Sequence, residues 1–514
     1  MSISNQGSVV GGALLPSIPP TYPNFPNDVL KRIFDLIIRG PAVFPPPSNH
    51  PREILAQVCT RWQYVVTSTP TYWTTLEFVQ LDAQGPANFF ELAQEFLRRS
   101  GSTIPLSIRF RGGLESDAAH RIFEHVIQSY AHRMWFFACV ITKRELGTFF
   151  GADCVQFPLL LHVVLDVSTA DAQISTRIPV RGSVDISAFQ HALPSLRHVV
   201  LSIPEGIHAT DLQLPWSRLT DIDLGNTPIR SNKFMKIMEQ SLVLDDGVFC
   251  INFPRIDSEQ SITFRTITVP LLRHLRLRLI RPSRGGRTFP KLRTPSLESL
   301  WLEREEVGQA VRDTRLYETL LAGLNASLKH ITITEHSVPS TLLFLPQLKG
   351  GPRFMYQGLE GVLRSAHNLT SLYLYPGIFI HPVVLGKLAS GEFLPFLEKL
   401  AISSVTGWDI IWMVQERNLV STRPHSGGPS SELGSLAAPM VRRAVPLNYL
   451  SLLVMGCGLD QGSVQKLKHA VGSLRLACGY VLRYVDIPSR EPIYPLVNHN
   501  FFLFLVVDTW SSSC

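Results

Sequence analysis

Hydrophobic positions along the chain follow two regimes. Near the start they recur every three to four residues. Val29, Leu30, Ile33, Phe34 and Ile37 face one way, with Lys31, Arg32 and Asp35 on the other side, which predicts an amphipathic helix. Asn27 is its expected cap, Asp28 suits its positive end, and Gly40-Pro41 stops it. A Pro-rich loop follows over Pro41–Pro51. A second helix then carries Ile54, Leu55, Val58, Cys59, Trp62, Val65 and Val66 and ends at Thr69-Pro70, with Trp73 and Leu76 as a further anchor. From about residue 155 the period drops to two. The pattern Leu-x-x-[Leu/Ile/Val]-x-[Leu/Ile] starts at Leu160, Leu196, Leu219, Leu272, Leu297, Leu328, Leu369, Leu397 and Leu447, with a weaker copy at Val248-Ile251-Phe253. Pro194, Pro270, Pro295 and Pro395 precede several copies.

Alternation after the first Leu makes a short strand with one buried face. Helical patterns lie between strands, as at Asp313–Leu324 and Leu459–Val471. One strand and one helix cannot hide their apolar faces alone, so neighbours must stack. The expected fold class is α/β: a small N-terminal helical domain, then an irregular solenoid with a parallel sheet over 155–480. A TIM barrel is the alternative that strand–helix alternation also allows. Residues 1–20 read as a flexible lead-in and 21–80 as the helical domain. The segment 81–154 reads as connecting, divergent repeats: helix Phe89–Arg99, strand Ile104–Phe110, helix Ala118–Tyr130 and strand Met134–Ile141. The stretch 420–439, rich in Ser, Gly and Pro, reads as a loop insertion, and 481–514 as a tail without the pattern.

Composition narrows the function. The 514 residues are 45% hydrophobic and 17% charged, too apolar for disorder and enough for a large core. The net charge of +7 is mild at this length, so dedicated nucleic-acid binding is not expected. Cysteines 59, 139, 154, 250, 457, 478 and 514 include no Cys-x-x-Cys pair, which fits neither a zinc module nor a disulfide framework. Buried, reduced thiols in a cytoplasmic or nuclear protein are expected. No basic leader or run long enough to span a membrane is seen. Phosphate-loop, zinc-protease, nucleophile-elbow and dinucleotide motifs are missing from the sequence, so neither catalysis nor a cofactor is expected.

The N-terminal residues carry a resemblance. Phe25-Pro26-Asn27-Asp28-Val29-Leu30-Lys31-Arg32-Ile33-Phe34 resembles the opening of an F-box, which typically reads Leu-Pro-x-Glu-[Leu/Ile/Val]-Leu-x-x-Ile-Phe. Val58-Cys59-Thr60-Arg61-Trp62 resembles its Val-Cys-[Lys/Arg]-x-Trp signature, and Ser68-Thr69-Pro70-Thr71-Tyr72-Trp73 its Ser-x-Pro-x-Leu-Trp ending. Phe25, Asp28 and Tyr72 depart from the usual residues, and the Pro-rich loop is an insertion. The run Phe96–Leu106 is similar to the segment after the F-box in large fungal F-box families. The later repeats resemble a leucine-rich-repeat solenoid, although the usual Asn after the strand is missing. The resemblance implies a Skp-type adaptor, and through it a cullin, as partners. It implies Pro26, Leu30, Ile33, Phe34, Leu55, Val58, Cys59 and Trp62 as docking and core positions. A ubiquitin-ligase substrate receptor is the function implied. A protein-interaction scaffold with a degenerate F-box is the rival.

In a repeat strand the residues between the buried ones point to the concave face, the usual ligand side of solenoids. That register selects Asp221, Asp223, His274, Arg276, Arg278, Trp301, Glu303, His330, Tyr373, Tyr375 and Lys399 as candidate target-binding residues. A basic cluster, Arg273, Arg276, Arg278, Arg281, Arg284, Arg287, Lys291 and Arg293, contains no acidic residue. It suggests a target that is acidic or phosphorylated.

Overall fold

The computed structural model describes residues 25–79, 89–112, 114, 116–141, 155–167, 193–203, 214–253, 266–280, 292–305, 327–335, 360, 363–364, 366–374, 380–404, 407–422, 444–454, 461–471 and 473–478. The expected lead-in, the helix at Asp313–Leu324, nearly all of the 420–439 insertion and the tail lie outside them. The described residues form two compact units. One runs to residue 79 and resumes over 89–104; the other begins at residue 105.

The first unit holds α1 (Asn27–Ile37), β1 (Ala42–Phe44), α2 (Pro51–Val58), α3 (Thr60–Ser68), β2 (Thr75–Val79) and α4 (Phe89–Arg99). Three local expectations are corrected. The second helix is two, because Cys59 adopts an extended backbone (φ −165°, ψ 164°) between α2 and α3. The Pro-rich loop contains β1, which pairs in parallel with β2. Asn27 is not the cap; Pro26 occupies that position, and Asn27 Oδ1 accepts a hydrogen bond from Arg61 Nε at 3.1 Å. The helix Phe89–Arg99, expected in the connecting segment, packs within this unit. Phe44 meets Phe89 at 4.8 Å and Phe96 at 5.2 Å between ring centroids, and Trp73 meets Phe96 at 5.1 Å.

A buried Arg52 ties the unit's loops together. Its guanidinium donates to the carbonyls of Tyr72 (2.8 Å), Gly40 (2.9 Å) and Pro41 (3.0 Å). Burial pushes its pKa down to about 10, yet the side chain stays charged at neutral pH, and charge-assisted bonds offset its desolvation.

The second unit is an α/β assembly around one large parallel sheet. Its strands are β3 (Leu106–Arg111), β4 (Met134–Ile141), β5 (His162–Val167), β6 (His198–Ser202), β7 (Asp221–Arg230), β8 (Asp246–Asn252), β10 (His274–Ile280), β12 (Ser299–Glu305), β13 (His330–Glu335), β14 (Ser371–Leu374), β15 (Lys399–Ser404), β16 (Tyr449–Val454) and β17 (Ser473–Cys478). They lie side by side in chain order. Two short strands, β9 (Ile267–Thr268) and β11 (Leu292–Arg293), pair separately. The order β3 to β17 is that of an open sheet, not the closed barrel that was the alternative. Helices over Asp117–Tyr130, Ser231–Gln240, Pro382–Ser390, Trp408–Thr422 and Gln461–Ala470 follow β3, β7, β14, β15 and β16.

Every Leu-x-x-Leu-x-Leu copy becomes a strand in one register. Leu275, Leu300, Ile331, Leu372, Leu400 and Leu450 form one buried row, and Leu277, Leu302, Ile333, Leu374, Ile402 and Leu452 the next. The weak copy at Val248 is out of register. Gly247, not the copy's Ile251, aligns with Leu275. The true copy is Leu244-Gly247-Phe249, where a Cβ on Gly247 would lie 2.7 Å from the Phe249 ring; the large neighbour fills the missing side chain's place. The strand β17 escaped the pattern because Val471 stands where Leu would begin it.

A main-chain ladder joins the repeats just before the strands. The Leu161 carbonyl accepts from both Arg197 and His198 N–H (3.0 Å each). Arg197 O accepts from Thr220 and Asp221, Thr220 O from Asp245 and Asp246, and Asp245 O from Arg273 and His274. The same double acceptance continues through Arg273, Glu298, Lys329, Thr370 and Glu398, ending on Asn448 and Tyr449. It satisfies the backbone at each strand entry without the missing Asn.

Candidate functional site

The first candidate surface is the outer side of the N-terminal helices. In α1, Leu30 and Phe34 are fully buried, and Phe34 meets Trp62 edge-on at 5.0 Å. Leu55 is buried, Ile33 and Trp62 are half-buried, and Pro26, Val58 and Cys59 are exposed. The single apolar face read from the sequence is therefore two. Leu30 and Phe34 point inward, while Val29, Ile33 and Leu36, spaced i, i+4 and i+7, make an outer stripe. Leu36 is 67% exposed and Tyr64 63%. Ile37, Ile54 and Val58 are exposed as well. Val29 and Leu36 were missed as site residues although the seven-residue spacing is visible in the sequence.

The second candidate surface is the open face of the repeat sheet. Its residues stand between the buried rows, and strand register aligns them across the sheet. Asp221, Asp246, His274, Ser299, His330, Ser371, Lys399 and Tyr449 form one row. Asp223, Val248, Arg276, Trp301, Thr332, Tyr373 and Ala401 form the second, and Arg278, Glu303 and Thr334 belong to a third. Every expected face residue within the described residues thus falls on this one face; Tyr375 lies outside them. His162 and His198 extend the first row. They were missed, although each stands two residues after its motif Leu, the position Asp221, His274, His330 and Lys399 also hold.

Several of these groups are already engaged. Arg276 Nη2 lies 2.7 Å from Glu303 Oε1, and its guanidinium carbon sits 3.9 Å from the centre of the Trp301 ring. Arg273 Nε is 2.9 Å from Asp245 Oδ1. Two members of the basic cluster are therefore neutralised within the chain, while Arg281, Arg284, Arg287 and Lys291 lie outside the described residues. Asp223 Oδ1 accepts from the Gly225 N–H at 2.8 Å. His198 Nδ1 approaches Asp221 Oδ2 at 2.8 Å, and Thr220 donates to the same oxygen at 2.7 Å.

The titration of the face follows its packing. His162 stacks on His198 with centroids 4.1 Å apart and planes 11° from parallel. Burial, then the His198 charge, pushes His162 down to about 4, against a smaller pull from Asp221. Burial and the nearby Lys399 and Lys329 push His330 down. Burial alone would push Asp221 up, but the hydrogen bonds from His198 and Thr220 bring it below the usual carboxylate range. Burial raises Tyr373.

One cavity opens at the strand-entry edge of this face. It has a volume of about 400 Å³ and is lined by Thr220, Asp221, Val243, Asp245, Leu271, Arg273 and Ser296. Among the described residues no cluster of His, Cys, Asp and Glu could hold a metal ion, and no helix is long and apolar enough to cross a membrane. A scan against protein-family models finds no match. A search of curated proteins finds none either.

Proposed function

We propose that this protein is the substrate receptor of a Skp–cullin–F-box ubiquitin ligase, acting in the cytoplasm or nucleus. The first unit would be the F-box and would dock on the Skp-type adaptor. The second would be a leucine-rich-repeat-like solenoid whose open face holds a target protein. The observation that carries the reading is the outer stripe Val29, Ile33 and Leu36 of α1, together with exposed Ile54 and Val58 on α2, on helices whose inner sides already have a core. An exposed apolar helix face rimmed by polar residues is the form that helix-in-groove recognition takes. Fusing such a surface to a repeat array gives proximity. A target held on the array meets the ubiquitin-loaded enzyme at raised effective concentration, with no reacting group supplied by this chain.

The scaffold reading has its own support. Leu30, Phe34 and Leu55, among the residues implied for docking, are buried inside the unit. Binding of the full chain to a purified Skp-type adaptor separates the two readings. Micromolar or tighter binding, abolished by Leu36→Asp with Ile54→Asp in a chain that still melts cooperatively, supports the receptor. Unchanged binding in that variant, or none in the wild type, leaves the scaffold.

A further inference from the structure

Among the described residues, two members of the Arg run on the open face are paired with carboxylates of the chain itself. The Arg run suggested an acidic target, but Arg276 is committed to Glu303 and Trp301, and Arg273 to Asp245. What the sheet's entry edge presents instead is a cavity of about 400 Å³ with two carboxylates, Asp221 and Asp245, against one guanidinium, Arg273. Its floor and walls include Val243 and Leu271, both exposed aliphatic side chains. Leu242, more than half exposed, stands next to Val243.

We infer that this cavity binds a segment of the target in which an aliphatic side chain sits beside a lysine or arginine. The inference rests on the receptor reading above and names the class of target that reading leaves open. The chemistry of the lining assigns the parts. Val243 and Leu271 offer apolar contact that is otherwise turned to water, the usual basis of affinity in a small pocket. Asp221 is held ionised by His198 and Thr220, both bonded to Oδ2, so its carboxylate is fixed in place before a ligand arrives. Preorganised charge of this kind favours a cation at small entropic cost. Arg273 contributes through its bond to Asp245, which holds that carboxylate at the mouth. Asp245 is already paired with Arg273, so Asp221 is the carboxylate that an acidic or phosphorylated segment would meet, and it repels one. The volume suits one aliphatic side chain with a neighbouring basic one, and lies within the range of small-ligand pockets.

The test uses the full chain and two fluorescein-labelled peptides, one with a Leu flanked by lysines and one with glutamates in place of those lysines. Anisotropy titrations are run on the wild type, Asp245→Asn and Leu271→Ser, with thermal melts to establish folding. The lysine peptide should bind the wild type and weaken about tenfold in each variant, and more salt should weaken it further. Equal affinity for the two peptides, no binding of either, or full affinity in both folded variants overturns the inference. Adaptor binding is measured on the same preparations. If the adaptor binds and the lysine peptide does not, only the cavity assignment fails. If the peptide binds and the adaptor does not, only the ligase reading fails.

Discussion

The two units use the same physics to different ends. In the N-terminal unit, helices bury one stripe and leave a second apolar stripe, Val29, Ile33 and Leu36, toward water. In the repeat unit, the motif side chains of the central strands are buried to within 2%, and the open face between them is polar and aromatic. An exposed apolar stripe and a polar face tied by ion pairs and stacks have different mutational signatures. Substitution on the first leaves the fold intact; the second is wired into its own fold.

The largest test of that contrast is Arg417. It lies in the helix Trp408–Thr422, is 0% exposed, and donates to the carbonyls of Leu388 (2.6 Å), Leu394 (2.8 Å), Pro395 (3.0 Å), Leu397 (3.2 Å) and Val445 (2.8 Å). Its loop takes left-handed backbone at Gly391 (φ 76°) and Leu394 (φ 47°) to turn carbonyls toward it. Burial brings its pKa down to about 10. Arg417→Leu would strand carbonyls inside the array, and a loss of at least 3 kcal/mol, order-of-magnitude, is expected by chemical denaturation. Arg52→Leu strands three carbonyls in the other unit and should cost less; a reversed ranking would break the comparison.

Next come paired truncations. Leu372→Ala, in the buried row, should cost about 2–5 kcal/mol. Leu36→Ala, on the exposed stripe, should stay within about 0.5 kcal/mol. Equal costs in urea melts would mean that Leu36 is covered by the fold. A smaller effect is expected at Glu303. Its bond to the Arg276 guanidinium is partly solvent-screened, so Glu303→Gln should cost about 1 kcal/mol or less. It should also free Arg276 from its partner, raising the array's affinity for polyanions such as heparin. Unchanged heparin binding would show that the Trp301 stack alone holds Arg276.

The smallest effect is pH-dependent. His162 has a folded pKa near 4 against an ordinary 6.5. A lowered histidine favours the fold while neutral, so its contribution is complete above pH 6.5. It is lost as pH falls from 6.5 toward 4, where the unfolded chain takes up the proton first. His162→Gln should flatten the fall of Tm across that window. A fall as steep as in the wild type would place the titration elsewhere.

The repeat fold was legible because a period-two pattern has one solution: it names buried rows, and parity then names the face between them. His274, Arg276, Trp301, His330, Tyr373 and Lys399 were found that way. Parity says nothing of pairing along the face, so the neutralisation of Arg276 by Glu303, 27 residues apart in sequence but on neighbouring strands, was invisible. The Val248 copy failed because Gly247 breaks the hydrophobic signal that Phe249 restores only in three dimensions. In α1 the densely apolar sequence, Val29-Leu30 through Ile37-Ile38, hid which stripe faced inward. Cys59 gave no sign that its backbone would leave the helix.

The ladder at the strand entries uses only carbonyls and amides, so it places no demand on the side chains that ride on it. Residues at those rungs vary from Leu161 to Arg197, Thr220, Asp245, Glu298 and Lys329, and the chain between rungs ranges widely in length. The spine thus works as a mounting rail. New segments can be spliced between rungs, and new charges written onto them, while the alignment of the open-face rows is kept.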